Sequence, residues 1–546
     1  MLRRAPPGVS IGSMLTPTQA AQLRTALLAA DYTIDAVINR IGETGQEGLG
    51  RNSTIPALDV LGDATDPQAA LIKLWPLQQE VPLAAVRAAL GASTGVAPEA
   101  ITGQGASTGS AAVTGQSVFD ALVEAGILRL DGQVVRALVD IRPFGADEDL
   151  PQAAATQGPL AGWVVSDLTP GLDQVTTRTR PDYVLGVSPA STSLAQMTMR
   201  TTIGSALDLG TGCGVQSLHL ARHAERVVAT DINPRALELA GLTAQLNQLD
   251  VDLRDGSLYE PVAGERFDLI VTNPPYVMSP PTTDGERLVY REGSFAGDGL
   301  VEAVVKGAPA HLNPGGSLQV LCNWAILDGQ PWEERVAGWA EGSGCDLWVV
   351  ERERLDIYHY IEVWLTDAGL AGSPEWQPRY REWIEYFKGL GIVGVGMGWI
   401  TLTRSERPTP DIQVESWPHA IAQPVGPALA EHQACVTHAL LSDGQILAQR
   451  WKLAEHVTQE TLGQPGAADP QHIVLRSAAG LRRAMEVDTA LGGVLGACDG
   501  ELTLGQITAA IAMILEVDEA ALVGSVMPGI REALRDGLLV RADAGR

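Results

Sequence analysis

Residues 205–214 read SALDLGTGCG, an apolar strand that closes on Asp208 and runs into a turn built on Gly210, Gly212 and Gly214. Glycines of this kind let a backbone turn sharply and come close to a ligand. Behind them VQSLHLARHA has helical periodicity, through Val215, Leu218, Leu220 and Ala221, and a second apolar strand, RVVATD, ends in Asp231, twenty-three residues beyond Asp208. Strand, glycine turn, helix, strand and acid in that order predict a parallel β-α-β unit with a nucleoside site at its carboxyl end. A carboxylate there accepts from both ribose hydroxyls, so the unit alone suits NAD and S-adenosylmethionine alike.

The stretch that follows decides the chemistry. Periodicity predicts a helix from Pro234 to about Asn247, then DVDLRDGSLY (250–259) and the apolar strand FDLIVTNPPY (267–276). Asn273, Pro274, Pro275 and Tyr276 therefore land at the carboxyl end of the fourth predicted strand, where open α/β sheets place their sites. The tetrad suits a nitrogen whose lone pair is delocalised, such as a carboxamide NH2 or the exocyclic amine of a base. If the Asn273 side-chain oxygen and the Pro274 carbonyl each accept one N–H, the nitrogen is drawn toward tetrahedral geometry and its lone pair aims at a sulfonium methyl. Pro274 and Pro275 fix the backbone so that the carbonyl points inward, and Tyr276 can cover a planar group by stacking. Alignment of this sort supplies on the order of 7–11 kcal/mol of a barrier. No general base is required, because the alkylated nitrogen is acidic enough to lose its proton to water. His219, His223, His311 and His359 are accordingly assigned no role.

With 546 residues the chain is long enough for three or four domains, and 45% hydrophobic against 19% charged residues supports real cores. Its 38 basic and 65 acidic residues give a net charge of −27. That field argues against a general nucleic-acid-coating role, which needs many neutralised phosphates. The five cysteines, Cys213, Cys322, Cys345, Cys435 and Cys498, are far apart and form no CxxC pair, so neither a disulfide framework nor a metal site is expected. No apolar run reaches 18 residues, and MLRRAPPGVS lacks an apolar segment behind its arginines. The expectation is a soluble, cytoplasmic protein without membrane contact.

The flanks read as mainly helical. Leu23, Leu27, Leu28, Ile34, Val37 and Ile41 recur at helical spacing from Thr16 to about Gly42, with Thr16 as cap and Pro17 in the first turn. A second helical stretch covers 71–90, and the small polar residues of 102–116 predict a loop. VFDALVEAGILRL (118–130), the Asp131-Gly132 turn and VVRALVDI (134–141) predict a helix and a β-hairpin, a winged-helix-like arrangement. Residues 481–546 repeat the pattern with helices at 503–515 and 526 onward, Asp536-Gly537 and a short strand. Five prolines between 406 and 435 predict a linker.

Taken together, DLGTGCG (208–214), TDINPRALELA (230–240), DGSLYEPV (255–262), FDLIVTNPPYV (267–277) and the AGDGL stretch running to NPGGSL (296–318) resemble the class I S-adenosylmethionine-dependent methyltransferases. Within them the likeness is to the HemK-like protein-glutamine methyltransferases, over roughly residues 180–330. The resemblance implies an α/β fold with a Rossmann-like, seven-stranded sheet and S-adenosylmethionine as cofactor. Asp208, Gly210, Gly212 and Gly214 would line its methionine part, Asp231 would hold the ribose, and Asn273, Pro274 and Tyr276 the target nitrogen. The family's Asp after Gly at the third strand is replaced by Ser257 after Gly256, so Asp255 or Ser257 is expected to meet the adenine. The loop before the first strand, VLGVSPASTSLAQ (184–196), carries no carboxylate, unlike the family's Arg-Pro-Glu-Thr-type motif.

Strands at 317–324, 346–355 and 392–404, the last two antiparallel neighbours, then complete the sheet around a helical insertion at 375–391 whose aromatic residues pack it onto the domain or form a substrate platform. The expected domains are 1–155, mainly helical and winged-helix-like; 156–405, catalytic; and 406–546, a linker and a second winged-helix-like unit. The expected activity is N-methylation of a macromolecule, first a glutamine side chain in a translation factor or ribosomal protein, alternatively an exocyclic amine of RNA or DNA.

Overall fold

The computed structural model describes residues 15–91, 117–145, 162–175, 180–281, 295–465 and 471–542. Thr16 and Gln19 close a capping box at the start of α1 (Pro17–Ala29), with Pro17 in the first turn. The helix does not continue to Gly42. Asp31 adopts a left-handed conformation (φ 51°), and the chain turns so that fully buried Tyr32 donates its hydroxyl to the Ile141 carbonyl. Then come α2 (Ile34–Gly50) and α3 (Ile55–Leu61).

The stretch 71–90 likewise divides, into α4 (Pro67–Leu74), β1 (Val81–Pro82) and α5 (Leu83–Leu90). The predicted loop 102–116 lies outside the described residues. Next are α6 (Val118–Glu124), β2 (Leu128–Asp131) and β3 (Val134–Ala137), whose hairpin receives β1 to give the order β1-β3-β2. The strand expected over 134–141 breaks: β4 (Asp140–Phe144) leaves the hairpin and pairs with β5 (Gly162–Ser166). That hairpin straddles the expected domain boundary at 155.

The central sheet is built from α7 (Pro189–Met197), β6 (Ile203–Leu209), α8 (Val215–Leu220), β7 (Ala224–Asp231), α9 (Pro234–Leu246), β8 (Val251–Asp255), β9 (Phe267–Thr272), α10 (Gly299–Gly307), β10 (Leu312–Leu327), α11 (Trp332–Ala337), β11 (Asp346–Asp356), α12 (Ile357–Asp367), α13 (Trp376–Gly389), β12 (Ile392–Thr403) and β13 (Ile412–Ser416). Its order is β13-β11-β12-β10-β9-β6-β7-β8. All neighbours are parallel except β12, which runs against both β10 and β11. This is the Rossmann-like class I sheet.

Residues 206–209, 227–230 and 269–272 are continuously buried, the pattern of parallel strands covered on both faces. Three expectations are corrected. The sheet has eight strands rather than seven, and it does not close at 405, because β13, from the stretch read as a linker, adds to β11 through five register pairs. The insertion between β11 and β12 holds two helices, not one.

The N-terminal unit is not a free arm. One core runs from Leu23, Trp75 and Phe119 through Trp163 to Leu218 on α8 and Leu239 and Leu246 on α9. Arg24 donates to the Leu246 carbonyl (2.7 Å), and Asn247 Oδ1 accepts from Trp163 N–H (3.0 Å). This unit therefore rests on the helices behind the glycine turn.

At the other end lie α14 (Gly426–Ala439), α15 (Asp443–Ala448), β14 (Arg450–Leu453), β15 (Val457–Leu462), β16 (His472–Ser477), β17 (Ala484–Val487), α16 (Thr489–Gly496), β18 (Asp499–Thr503), α17 (Leu504–Leu515), α18 (Glu519–Arg535) and β19 (Leu539–Arg541). The strands of 450–487 have no counterpart in the sequence expectation. Of these, β14 lies between β18 and β19 in one sheet, and β15, β16 and β17 form another in the order β15-β16-β17. The unit is fixed to the β11/β13 edge by Arg483–Glu415 (2.5 Å) and Arg535–Asp411 (2.9 Å), by Trp348 stacked on His432 at 3.7 Å, and by Arg407, which precedes β13, pairs with Asp346 (2.7 Å) and donates to the Gln433 carbonyl of α14 (3.1 Å).

Candidate active site

The carboxyl ends of β6, β7 and β9 meet around a cavity of about 220 Å³. Gly210 (φ 78°) and Gly212 (φ 56°) form one wall, and a Cβ at either would find no protein atom within 4 Å. A side chain there would occupy space that the fold leaves for something else. Asp208 sets the shape of this turn. Its Oδ2 accepts from Thr211 Oγ1 (2.7 Å), Ser217 N–H (2.9 Å) and Ser217 Oγ (2.7 Å). Burial nevertheless pushes the carboxyl up to about 6. Across from it, Asp231 accepts from Gly212 N–H and from Asn233 N–H, both at 2.9 Å. Burial raises this carboxyl too, while the backbone donors pull it down. The Cys213 thiol is pushed up to about 12 by burial and stays neutral.

Asn273, Pro274 and Pro275 line the same cavity. Buried Thr272 donates its hydroxyl to the Leu209 carbonyl at 2.7 Å, tying the end of β9 to the end of β6. That bond fixes Asn273 relative to the glycine turn. Asn273 Oδ1 is itself buried and has no hydrogen-bond partner among the described residues. An orphan acceptor of this kind costs about 1–3 kcal/mol unless a donor reaches it. The arrangement is ready for an N–H from outside the chain.

Eight expected site residues thus surround one cavity: Asp208, Gly210, Gly212, Asp231, Ser257, Asn273, Pro274 and Pro275. Three do not line it. Gly214 (φ 83°) caps α8, where an added Cβ would come 3.2 Å from Ala240 Cα, so it admits α9 closely rather than facing a ligand. Asp255 is exposed at the end of β8. Tyr276 is half-buried behind the wall, its ring 6.3 Å from Trp364 at 70°; burial raises its phenol above the ordinary value.

Other lining residues escaped the sequence reading. Tyr183, Ser188 and Ser191 come from the segment entering β6, and Gln216 holds that segment by donating Nε2–H to the Ser191 carbonyl at 2.8 Å. The signal for the two serines is the serine-rich stretch 184–196. Leu258, Phe295, Leu300 and Val304 supply an apolar wall. No Arg, Lys or His lines the cavity among the described residues. His219 and His223, pushed down to about 3 and about 4 by burial, lie outside it. Among the described residues no cluster of three His, Cys, Asp or Glu suits a metal ion, and no helix is long and apolar enough to cross a membrane.

A family model described as methyltransferase small domain matches residues 186–327, and one described as a domain of unknown function matches residues 29–138. The chain is 43% identical over 145 residues to a release factor glutamine methyltransferase of Xylella fastidiosa, covering 25% of this chain and 47% of that protein. It is 37% identical over 128 residues to a ribosomal protein uL3 glutamine methyltransferase of Bradyrhizobium diazoefficiens, covering 22% and 40%. It is also 32% identical over 122 residues to a ribosomal RNA small subunit methyltransferase C of Erwinia tasmaniensis, covering 22% and 31%. The chain spans less than half the length of these relatives. The matches support a HemK-like, class I methyltransferase domain with S-adenosylmethionine as its cofactor.

Proposed function

We propose that this protein is an S-adenosylmethionine-dependent N-methyltransferase whose acceptor is a glutamine side chain of a translation factor or ribosomal protein. The observation that carries the reading is the buried, unpartnered Asn273 Oδ1 at the lip of a cavity whose opposite wall is the Gly210–Gly212 turn. Bound there, the cofactor supplies an electrophilic sulfonium methyl. The open space at Gly210 and Gly212, beside Asp208, suits its methionine part, Asp231 its ribose hydroxyls, and Ser257 rather than exposed Asp255 the edge of its adenine.

The chain's own work is done on the acceptor nitrogen. Asn273 Oδ1 and the Pro274 carbonyl each take one N–H, which opposes delocalisation of the lone pair. Pro275 keeps the carbonyl in place, and Tyr276 backs the wall. Side-chain bases are not needed, since the product nitrogen releases its proton to water.

An amide in a polypeptide fits better than a nucleobase. The described cavity has no cation to meet a phosphate, and the net charge of −27 attracts basic proteins and repels nucleic acid. Two of the relatives named above are glutamine methyltransferases, which agrees with this choice. The site is read as part of a cytoplasmic enzyme of three units. The order β1-β3-β2 with α4, α5 and α6 supports a winged-helix-like N-terminal unit, and the order β18-β14-β19 with α15, α17 and α18 supports a second one at the C-terminus. Both units serve as braces for the central sheet.

The test is methyl transfer from labelled S-adenosylmethionine into a fractionated lysate. Label in protease-sensitive material is expected. Nuclease-sensitive label overturns the glutamine reading in favour of a base amine, and no label in either fraction overturns the activity.

A further inference from the structure

The insertion between β11 and β12 meets the surroundings of the site at three points: the backbone just after the tetrad, the tetrad's Tyr276 and the segment beside Phe295. Tyr360 on α12 is fully buried, and its hydroxyl oxygen accepts from Met278 N–H (3.1 Å) and from Asn323 Nδ2–H (2.9 Å). Met278 lies two residues beyond Tyr276, and Asn323 belongs to β10. Trp364, one turn further along α12, meets the Tyr276 ring edge-on and the Tyr360 ring at 6.0 Å and 63°. From α13, the Tyr386 hydroxyl accepts Gly297 N–H at 2.9 Å, beside the cavity-lining Phe295.

The core of the insertion has no need of that first hydroxyl. Tyr360 packs on Trp383 (6.4 Å) and Phe387 (5.9 Å) through its ring alone, and phenylalanine would fill the same space. Among the bonds it makes, the buried oxygen accepts from these two N–H groups, one of them in the backbone that leaves the tetrad. Thr272 already ties the entering end of the tetrad to Leu209. Tyr360 ties the leaving end to β10 through Asn323, so that the four residues are pinned at both ends.

We propose that Tyr360 is a positioning residue for methyl transfer: its hydroxyl sets the backbone after Tyr276, and the α12–α13 insertion exists to hold the acceptor wall in register with the glycine turn. This rests on the activity proposed above. Chemistry that depends on alignment loses on the order of 100-fold for a misplacement of about 1 Å, so loss of a single tether is expected to be visible in rate.

The experiment compares Tyr360→Phe with Phe387→Leu, a cavity-forming change in the same core at a side chain that has no hydroxyl to tie to the backbone after the tetrad. Hydrogen exchange of the segment 273–280, S-adenosylmethionine affinity by calorimetry, melting temperature and the single-turnover rate of label transfer to lysate protein are measured for each. Tyr360→Phe is expected to speed exchange in 273–280, to leave cofactor affinity within about twofold, and to cut the rate by about tenfold or more. Phe387→Leu is expected to lower the melting temperature further while keeping most of the rate below its transition. Active wild-type protein with unchanged exchange and rate in Tyr360→Phe overturns the positioning role alone. Rates that merely follow the melting temperature in both variants overturn it as well. Wild-type protein that transfers no label overturns the activity and, with it, this role.

Discussion

Asp208→Asn should make the ligand-free protein more stable, by an amount that depends on pH in a fixed direction. The carboxyl is buried, and its folded-state value of about 6 stands above the ordinary 3.8. A group raised in this way favours the folded state fully below 3.8, and that contribution is lost as the pH rises through 6. Above 6 the ionised, desolvated form is carried in the folded protein at a cost of about 3 kcal/mol, from roughly two pKa units at 1.36 kcal/mol each.

Asparagine is close in shape to the neutral acid, and its oxygen can still accept from Thr211 and Ser217. The variant should therefore gain about 3 kcal/mol at pH 8 and about 1 kcal/mol less than that at pH 5, where wild-type Asp208 is largely protonated. Urea midpoints of both proteins at the two pH values give the comparison. Asp536, which burial also pushes to about 6, titrates in both proteins and cancels in the difference. A variant equally stable with wild type at pH 8, or a gain that does not shrink at pH 5, would refute the claim that burial of this carboxylate is a cost carried for the site. The same substitution should weaken S-adenosylmethionine binding, measured by calorimetry.

Three further outcomes are expected. Asn273→Ala removes turnover but leaves cofactor affinity nearly unchanged, whereas Asp231→Ala weakens cofactor binding; calorimetry showing the reverse would mean that the two roles are exchanged. Gly214→Ala forces a left-handed residue with a Cβ against Ala240 and costs about 1–2 kcal/mol from the backbone alone, seen as a lower melting temperature. Removing the buried Asp298 carboxylate in Asp298→Ala strips half-buried Arg335 of both its carboxylate bonds (2.8 and 2.6 Å) and Ala325 N–H of its acceptor. It should cost about 3–5 kcal/mol, much of which the pair Asp298→Leu with Arg335→Met restores in the same denaturation assay.

The centre of the molecule was legible because its signals are local. Asp208 and Asp231 stand at the ends of strands whose closing stretches, 206–209 and 227–230, are continuously buried, and only a strand ending at Thr272 can carry Asn273 to the same edge. The flanks were less so. The apolar spacing of 16–42 continues across Asp31 without a break, since the turn there is imposed by Tyr32 reaching Ile141, a partner 109 residues away. Strand β13 was hidden for a different reason: Ile412–Ser416 alternates apolar and polar residues but is only five residues long and lies among the prolines of 406–435, and it is Leu347 to Glu351 on β11 that recruits it. Gly214 shows the limit inside the motif itself. Spacing places it with Gly210 and Gly212, yet its neighbour is Ala240 rather than a ligand.

A glycine that serves packing and a glycine that serves a ligand have the same sequence signature, and they differ only in what a Cβ would meet. For Gly210 and Gly212 it would meet nothing in the protein. The cavity is accordingly best read as the place where conformational cost, the buried Asp208 carboxylate and the orphan Asn273 oxygen are all accepted together. Each of the three is unfavourable for folding alone, and on the proposed reading each is relieved on binding: the cofactor brings a positive charge to Asp208 and bulk to the glycine turn, and the acceptor amide brings an N–H to Asn273.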